Sequence, residues 1–358
     1  MSSVVTSHLR PRRLPTVVPA AEGAPVSSAR ALVCDRLGDG RDVGDLRVAE
    51  LLLAAPVPGE VVVRVAAANV AFVDRLLLAG AYQVKPATPY VAGTSFVGEV
   101  VATADGAGPG VGTVVAGLRV DGGAFASHVV VAADALVALG VAPASPDTTT
   151  LAGALEAYVT AHLALERRVE VTAGERVVVL GAGGAVGHAC VDLAHRAGAT
   201  VAGVTSRPAA LTAAFGADVA AIDVAQPLRD ALRAWAPDGV DVVVDPVGGA
   251  VTEQALRRLT AGGRLLVVGF ASGEVPRLPA NHVLLRNRAA VGVDLGALLR
   301  EGGATAGELL AAVVPRLVDG PLRPRPVRSV ALAELPDRLR GDASLSDLVV
   351  VPDVDPAR

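Results

Sequence analysis

The chain has 358 residues, of which 52% are hydrophobic, 19% are charged and 3% are aromatic, and its net charge is −4. This length favours two domains, and the composition excludes a disordered chain. The negative balance provides no surplus of cations for a phosphate backbone, and no apolar stretch is long enough to span a membrane, so we expect neither nucleic acid nor a membrane as a partner.

Residues 1–29 differ in composition from the rest of the chain. Arginine and proline occur there among serine, threonine and alanine, without a sustained hydrophobic period. This composition is typical of a disordered tail. A transit peptide is the alternative, but the segment lacks a clear amphipathic helix.

Short apolar runs separated by glycine and proline follow from residue 32 to about residue 141. Their regular spacing predicts a compact, largely antiparallel β domain. A short helix is predicted over residues 73–79, where Gly80 ends it. The clearest predicted strands are residues 60–65, 96–102, 112–118 and 127–131.

From about residue 146 strands and helices alternate. Alternation at this spacing predicts βαβ crossovers around a parallel sheet, whose strands are apolar on both faces because helices cover both sides. The predicted strands are residues 177–180, 200–204, 220–223, 240–245 and 264–270, and the predicted helices are residues 147–168, 185–197, 211–215, 228–235 and 251–259. After residue 293 we predict helices at residues 304–317 and 332–340 and a final strand at residues 348–351.

A glycine-rich turn joins the strand at residues 177–180 to the helix that begins at Ala185. Gly181, Gly184 and Gly187 recur every three residues, whereas Val186 occupies the sixth place of the strict dinucleotide-binding pattern, where glycine is usual. Glycine permits a tight turn and the close approach of a pyrophosphate, which the helix N-terminus attracts. Together with the βα units that follow, the turn predicts a cofactor site.

The end of the second predicted strand distinguishes NADH from NADPH. An acidic residue there would bind the ribose 2′-hydroxyl of NADH, but the chain reads Thr205, Ser206 and Arg207. Ser206 and Arg207 could hydrogen-bond and pair with a 2′-phosphate. The alternative is that Arg207 is a solvated turn residue. We predict NADPH as the cofactor.

Six stretches of the sequence form a specific pattern, namely residues 74–82, 89–98, 160–165, 181–187, 245–249 and 262–270. In this order they resemble the medium-chain dehydrogenase/reductase superfamily, in its zinc-lacking NADPH:quinone oxidoreductase branch. The resemblance implies an α/β fold with two domains. A β-rich, GroES-like catalytic domain would comprise residues 30–151 and 294–358, and a Rossmann domain with a doubly wound parallel sheet would comprise residues 152–293 and bind NADPH.

The zinc ligands of the metal-dependent relatives are missing. Those relatives carry a cysteine three residues before the aspartate that corresponds to Asp74, and a Gly-His-Glu motif further on. This chain has Ala71 in the first place and Gly-Thr-Ser at residues 93–95. Zinc needs three or four Cys, His or carboxylate ligands, and His188 and His195 lie two helical turns apart, about 10 Å, too far to share an ion. We predict no metal site.

Cys34 and Cys190 are the chain's two cysteines. Two cysteines make no disulfide framework, although one bridge would use both. We therefore expect a reducing location, the cytoplasm.

The resemblance also implies which residues contact the reactive end of the cofactor. Thr160 would contact the nicotinamide, and Val247, Gly269, Phe270 and Ala271 would line that part of the site. For each of these residues, ordinary packing at the edge of a parallel sheet is the alternative.

The substrate end departs from the family. Quinone reductases often have Asn at the place of Ala71 and Tyr at that of Leu76, so two polar groups are absent. Asn69 and Tyr82 are the remaining candidates for catalytic polar groups, with a turn position and half-buried packing as their alternatives. The pocket, which would include Phe270, is therefore less polar than usual and suits a hydrophobic, conjugated acceptor.

We therefore predict an enzyme that transfers hydride from NADPH to a quinone, enone or other activated C=C bond. Without zinc as Lewis acid, a conjugated acceptor is favoured because its charge spreads onto a distant oxygen. Two alternatives are a biosynthetic enoyl reductase or reductive cyclase of the same family, and a weakly catalytic NADPH-binding protein. The family leads us to expect a homodimer formed through the sheet edge near residues 289–293.

Overall fold

Strands in the first part of the chain form two sheets. The structure is a computed structural model and describes residues 28–104, 106, 108–140, 148–341, 345 and 347–352. Its first strand begins at Ser28, so the prediction of a tail is wrong for residues 28 and 29, and residues 1–27 lie outside the described residues. The elements of this part are β1 (Ser28–Arg36), β2 (Asp45–Leu52), β3 (Glu60–Asn69), α1 (Phe72–Leu78), β4 (Tyr90–Val91), β5 (Ser95–Thr103), β6 (Val114–Leu118), β7 (His128–Ala132) and β8 (Leu136–Gly140).

Alternating side chains explain why these segments are strands with one buried face. In β7, for example, Val129 and Val131 are buried, whereas the residues between and beside them are partly exposed. β3 pairs antiparallel with both β5 and β7, and β1 lies between β2 and β4 in a separate three-stranded sheet. The predicted helix is α1, after which Gly80 adopts φ +67°, a left-handed conformation that favours glycine.

Strands and helices alternate in the next part, as predicted. Its strands form a six-stranded sheet in which neighbours are parallel, in the order β11-β10-β9-β12-β13-β14. The elements are α2 (Thr148–His162) with a π-helical continuation (Leu163–Arg168), β9 (Arg176–Leu180), α3 (Ala185–Arg196), β10 (Thr200–Thr205), α4 (Pro208–Phe215), β11 (Val219–Asp223), α5 (Leu228–Trp235), β12 (Val240–Asp245), α6 (Ala250–Leu256), β13 (Leu259–Val267), α7 (Ala280–Leu284) and β14 (Ala289–Gly292).

From β9, the chain adds β10 and β11 on one side and β12 to β14 on the other. Open parallel sheets bind ligands at such a switch point, here between β9 and β12. The central strands are buried on both faces because helices cover the sheet on both sides, so their runs of valine carry no alternation. The fold is therefore the predicted α/β class, a Rossmann-type sheet beside a β-rich part.

The bounds predicted around β13 are wrong. The helix predicted at residues 251–259 ends at Leu256, and Leu259 instead begins β13, where it pairs with Val240. The strand predicted to reach residue 270 ends at Val267. Beyond it the backbone leaves the sheet ladder, because the N–H of Val268 donates to the carbonyl of Asp245 across the strand ends.

The C-terminal segment returns to the first part of the chain. β16 pairs antiparallel with β3, with Val349 opposite Asn69, and β15 extends the same sheet. Residue-level boundaries between the two domains stay a prediction. The elements of this segment are α8 (Leu295–Arg300), α9 (Ala306–Val318), β15 (Arg328–Ala331), α10 (Leu335–Gly341) and β16 (Leu348–Val351).

Helix α2 joins the two parts. It packs against β3 and β5 of the β-rich part and against α3 and α9, and its apolar residues belong to a core that includes residues of the β-rich part and of the parallel sheet. The Tyr158 hydroxyl donates to the buried carboxylate of Asp192 on α3, 2.7 Å away. α2 thus lines the boundary at which a cofactor and a substrate would meet. No helix in the described ranges has the length and hydropathy of a membrane span.

Candidate active site

The glycine turn lies at the carboxyl end of β9 and opens α3. Gly181 adopts φ +63°, and a Cβ added there would lie 2.7 Å from Val247 Cγ2. A Cβ on Gly187 would lie 2.2 Å from the Gly181 carbonyl oxygen, so glycine is required for the helix to pack against the turn. Gly184 is the N-cap of α3 and provides no side-chain cap, which leaves the helix N–H groups for an anion. Ala185 and Val186, the first helical residues, are partly exposed there.

The end of β10 folds over this turn. The guanidinium of Arg207 donates through Nη2 to the Gly183 carbonyl, 2.9 Å away, and its backbone N–H donates to Thr205 Oγ1 at 3.1 Å. A Cβ on Gly183 would lie 2.6 Å from that Thr205 oxygen. Thr205 is buried, whereas Ser206 and Arg207 are exposed. The three predicted residues therefore surround the turn, with the hydroxyl of Ser206 and the guanidinium of Arg207 open to solvent.

A second turn, at the carboxyl ends of β12 and β13, lies against the first. Buried Asp245 organises it, accepting hydrogen bonds from the N–H groups of Val247 and Gly248, each at 2.9 Å. The N–H of Ala271 donates to the carbonyl of Pro246 at 3.1 Å, which ties the predicted residues 269–271 to this turn. A Cβ on Gly248 would lie 3.1 Å from Phe270 Cδ1. Val247, Gly269, Phe270 and Ala271 are thus brought together beside the glycine turn.

A cation from the C-terminal segment approaches the same place. Arg325, in the loop before β15, lines a small cavity together with Ala185 and His188 of α3. Burial lowers the pKa of Arg325, and the nearby positive charge of Arg207 lowers it further. Two guanidinium groups from distant parts of the chain therefore lie near the N-terminus of α3, which favours an anionic ligand.

Carboxyl groups cluster on the opposite side of α2, next to α1. Asp74 is fully buried and accepts hydrogen bonds from the N–H groups of Ala71, at 2.9 Å, and Gly93, at 3.1 Å. Burial raises the pKa of Asp74 well above its ordinary range, and the nearby charge of Glu156 adds to this. The Thr94 hydroxyl donates to Glu156 Oε2, and burial raises the pKa of Glu156 while this hydrogen bond opposes the rise.

Tyr82 lies at this cluster. Burial raises its pKa, and the charges of Asp294 and Glu156 add to the rise while Arg300 opposes it. Its hydroxyl therefore stays protonated at neutral pH and can donate a hydrogen bond. Thr160, one turn after Glu156 on α2, is partly exposed, as Glu156 is, so these two side chains share one face of the helix.

The other substrate-end candidates occupy different positions. Ala71 is the buried N-cap of α1, and Leu76 is partly buried within that helix. Asn69 is the buried last residue of β3 and lies opposite Val349. In the part of the chain that the structure describes, no hydrogen bond connects Asn69 with Tyr82 or Glu156.

Glu156, Thr94 and Arg325 were not among the predicted site residues. A signal for Glu156 exists in the sequence, because it is the one acidic residue of α2 and stands four residues before Thr160. Arg325 carries no such signal, since it lies 118 positions beyond Arg207 in a proline-rich loop.

The carboxyl groups of Asp74 and Glu156 are the potential metal ligands near this site. Ala71 and Thr94 stand at the two places where the zinc-dependent relatives carry ligands, and neither side chain is a zinc ligand. Across the described residues, no group of three His, Cys, Asp or Glu is arranged to hold a metal ion. Cys34 and Cys190 are separate, buried free thiols.

Comparisons with known proteins identify relatives of this chain. Residues 57–141 match the alcohol dehydrogenase GroES-like domain, and residues 185–312 match the family described as zinc-binding dehydrogenase. The chain is 34% identical over 278 residues to a quinone oxidoreductase-like protein 2 homolog of Nematostella vectensis, covering 75% of this chain and 73% of that relative. It is 35% identical over 226 residues to prostaglandin reductase-3 of Bos taurus, covering 61% and 58%. Its fold matches the quinone oxidoreductase of Thermus thermophilus, solved also with NADPH, with a TM-score of 0.73, 32% identity, and 90% of this chain and 100% of that one covered.

Proposed function

The chain belongs to the medium-chain dehydrogenase/reductase superfamily, and we propose that it uses NADPH, without zinc, to reduce a conjugated acceptor such as a quinone or an enone. Membership makes it an oxidoreductase of this superfamily. The choice of NADPH, the absence of a metal and the class of acceptor are the proposal. The observation that carries it is the glycine turn with Arg207 closed over it, at the switch point of the parallel sheet.

A nicotinamide dinucleotide fits this turn. A Cβ on Gly181 or on Gly187 would collide with neighbouring atoms of the turn, so glycine keeps the turn tight and open to a ligand. The uncapped N-terminus of α3 would hold the pyrophosphate. Ser206 and Arg207 would hold a 2′-phosphate. An acidic residue at the end of β10 would instead repel the negative charge of that phosphate. The Thermus thermophilus relative is known in complex with NADPH, which supports the same choice here. When bound, the cofactor supplies the hydride.

The substrate end supports a conjugated, largely apolar acceptor. Ala71, Leu76 and Phe270 would present apolar surface to it, and Thr160 would position the nicotinamide beside it. Tyr82, protonated at neutral pH, would donate a hydrogen bond to the oxygen on which negative charge develops. Relatives named as quinone oxidoreductase-like protein and prostaglandin reductase support acceptors of this class.

Hydride transfer to such an acceptor needs no Lewis acid, because conjugation delocalises the negative charge that develops onto the oxygen of the acceptor. The work left to the chain is to hold both partners in one orientation and to exclude water. Ala71 and Thr94, at the places where zinc-dependent relatives have ligands, support a reaction without zinc.

The test is consumption of NADPH and of NADH, followed by absorbance, with a panel of quinones, alkenals and alkenones. We expect turnover of at least one acceptor with NADPH, a clear preference over NADH, and unchanged rates after dialysis against a chelator. Tight NADPH binding without turnover of any acceptor would contradict the proposal. Loss of activity on chelation, with recovery on adding zinc, would contradict the zinc-free part.

Two further proposals concern assembly and location. β14 is the exposed edge of the parallel sheet, and Leu284 and Leu285 beside it are each 75% exposed, so we propose a homodimer formed through this edge. Cys34 and Cys190 are free thiols, which supports a reducing, cytoplasmic location.

A further inference from the structure

We propose that Glu156 is a catalytic residue whose carboxyl group donates the proton that the acceptor takes up as it is reduced. This inference rests on the function proposed above and adds the acid that the reaction needs. Reduction of a C=C bond or a quinone requires a proton in addition to a hydride, and none of the residues predicted from the sequence carries a carboxyl group.

The hydrogen bonds around Glu156 show which of its oxygen atoms can carry the proton. Oε2 accepts the hydrogen bond of the Thr94 hydroxyl, which holds the carboxyl group in one orientation. Oε1 is therefore the oxygen on which a proton would reside. Glu156 is partly exposed as a residue, whereas Asp74 and Thr94 are buried, and its carboxyl group is itself desolvated.

The groups facing Glu156 favour its neutral form. Asp74 of α1 is a second buried carboxyl group, Thr94 before β5 is a neutral donor, and Tyr82 after α1 is neutral at physiological pH. Within the described ranges, neither carboxyl group forms an ion pair. Two nearby carboxyl groups without a cation cannot both ionise easily, so the pair keeps a proton.

Burial raises the pKa of both carboxyl groups, that of Asp74 well above its ordinary range, so the two share one proton. Their hydrogen bonds favour Glu156 as the group that carries it. Asp74 accepts two backbone N–H groups, from Ala71 and Gly93, and such donors stabilise the ionised form. Among the described residues, Glu156 accepts only the Thr94 hydroxyl. Burial also raises the pKa of Glu156 above its ordinary value.

The position of Glu156 on α2 places this proton where the reaction would occur. Glu156 and Thr160 are four residues apart, which brings their side chains to one face about 5–6 Å apart at Cβ. Thr160 would contact the nicotinamide, and Tyr82 lies near Glu156 on the substrate side. An acceptor between them would have the hydride donor and the acid within reach.

For an enone, the acceptor gains a hydride at its β-carbon, and the electron pair of the C=C bond moves to give an enolate. A new C–H bond forms at the α-carbon with the proton from Glu156 Oε1, which leaves Glu156 as a carboxylate. Water then returns a proton to Glu156, and the cofactor is left oxidised by two electrons.

The decisive variant is Glu156→Gln, which keeps the size and the acceptor for Thr94 but has no acidic proton. We expect kcat to fall about 100- to 10,000-fold, the usual contribution of a general acid, with NADPH affinity unchanged. Wild-type kcat should decline as pH rises through the raised pKa of Glu156, and this decline should be absent in Glu156→Gln. Thr94→Val removes the hydrogen bond that lowers the pKa of Glu156, so its decline should move to higher pH. A purely structural Glu156 would leave both pH profiles alike.

Infrared spectroscopy of carboxyl-labelled glutamate gives a readout that needs no turnover. The wild type at neutral pH should show the carbonyl band of a protonated carboxyl group, and Glu156→Gln should lose it. An ionised Glu156, or full activity of Glu156→Gln with an active wild type, would overturn this inference alone. A wild type that shows the protonated band but reduces no acceptor would overturn the proposed function and the donor role with it.

Discussion

The Arg207 guanidinium donates a hydrogen bond to the carbonyl of Gly183, 2.9 Å away, so a residue at the end of β10 closes the turn at the end of β9. The same guanidinium is exposed to solvent and lies near Arg325. One side chain thus shapes the phosphate turn and presents positive charge where the adenosine ribose of a dinucleotide would lie.

Removal of this charge should change cofactor preference. We expect Arg207→Ala to weaken NADPH binding about 10- to 100-fold, the usual range for one charged hydrogen bond, and to change NADH affinity much less. Titration of each cofactor by calorimetry or fluorescence measures this. Arg229→Ala, an exposed arginine on α5, is the matched control. Equal losses for both cofactors would contradict the role given to Arg207.

Replacing glycines of the turn with alanine should affect stability at Gly187 and cofactor binding at Gly184. In Gly187→Ala the added Cβ would lie 2.2 Å from the Gly181 carbonyl oxygen, so we expect the free energy of unfolding to fall by about 1–3 kcal/mol. In Gly184→Ala the nearest atom is 3.3 Å away, so the protein should fold but bind the cofactor weakly. Denaturant titration and cofactor binding separate the two effects. Gly110→Ala, with open space around it, is the control.

His188 should make stability depend on pH. It is buried, its Nε2 lies 2.8 Å from the Arg323 carbonyl, and its ring lies 4.8 Å from that of Phe215. Burial lowers the pKa of His188 below its unfolded value of about 6.5. The unfolded chain therefore binds more protons as pH falls through that value, and stability decreases, by at most about 1.4 kcal/mol per pH unit for one group.

The His188→Gln variant tests this dependence. Its free energy of unfolding is measured by denaturant titration between about pH 7 and pH 5. Over this range it should decrease less than the free energy of unfolding of the wild type. His195→Gln, the same exchange on the same helix, is the matched control. An equal change of unfolding free energy with pH in His188→Gln and in the wild type would contradict the role given to His188.

Tyr82 should affect the acceptor and not the cofactor. Tyr82→Phe removes one neutral hydrogen bond, so we expect kcat/KM to fall about 3- to 15-fold. NADPH affinity should stay at the wild-type value, because the glycine turn and Arg207 belong to other elements. Steady-state kinetics with one acceptor, together with cofactor titration, measures both quantities. An unchanged kcat/KM would indicate that Tyr82 only packs.

The exposed leucines next to β14 should control assembly. We expect Leu284→Asp combined with Leu285→Asp to convert a dimer into a monomer, because charged side chains would be desolvated in the interface. Light scattering of both proteins measures the mass. Val111→Asp, at a residue that is 66% exposed in the β-rich part, is the control and should leave the mass unchanged. A monomeric wild type would contradict the proposed homodimer.

Local patterns in the sequence were enough to predict much of the fold. Runs of valine between glycines predicted β9 and β12, and β12, α5 and β16 have the predicted bounds. The glycine spacing located the cofactor turn because tight turns and close packing restrict each residue through its nearest neighbours. The predicted bounds of β13 were wrong, because the pairing partner decides how far this strand extends.

Contacts between distant residues were decided only by the tertiary structure. Thr94 and Glu156 are 62 residues apart, and the pKa of the Glu156 carboxyl group is raised only because the folded chain buries it. Arg325 reaches the turn from a loop near the C-terminus. The sequence alone determined the alternation of strands and helices and the glycine turn, which depend on nearby residue types. The chemistry at the substrate end depends on burial and on charges brought together through space, and these exist only in the folded chain.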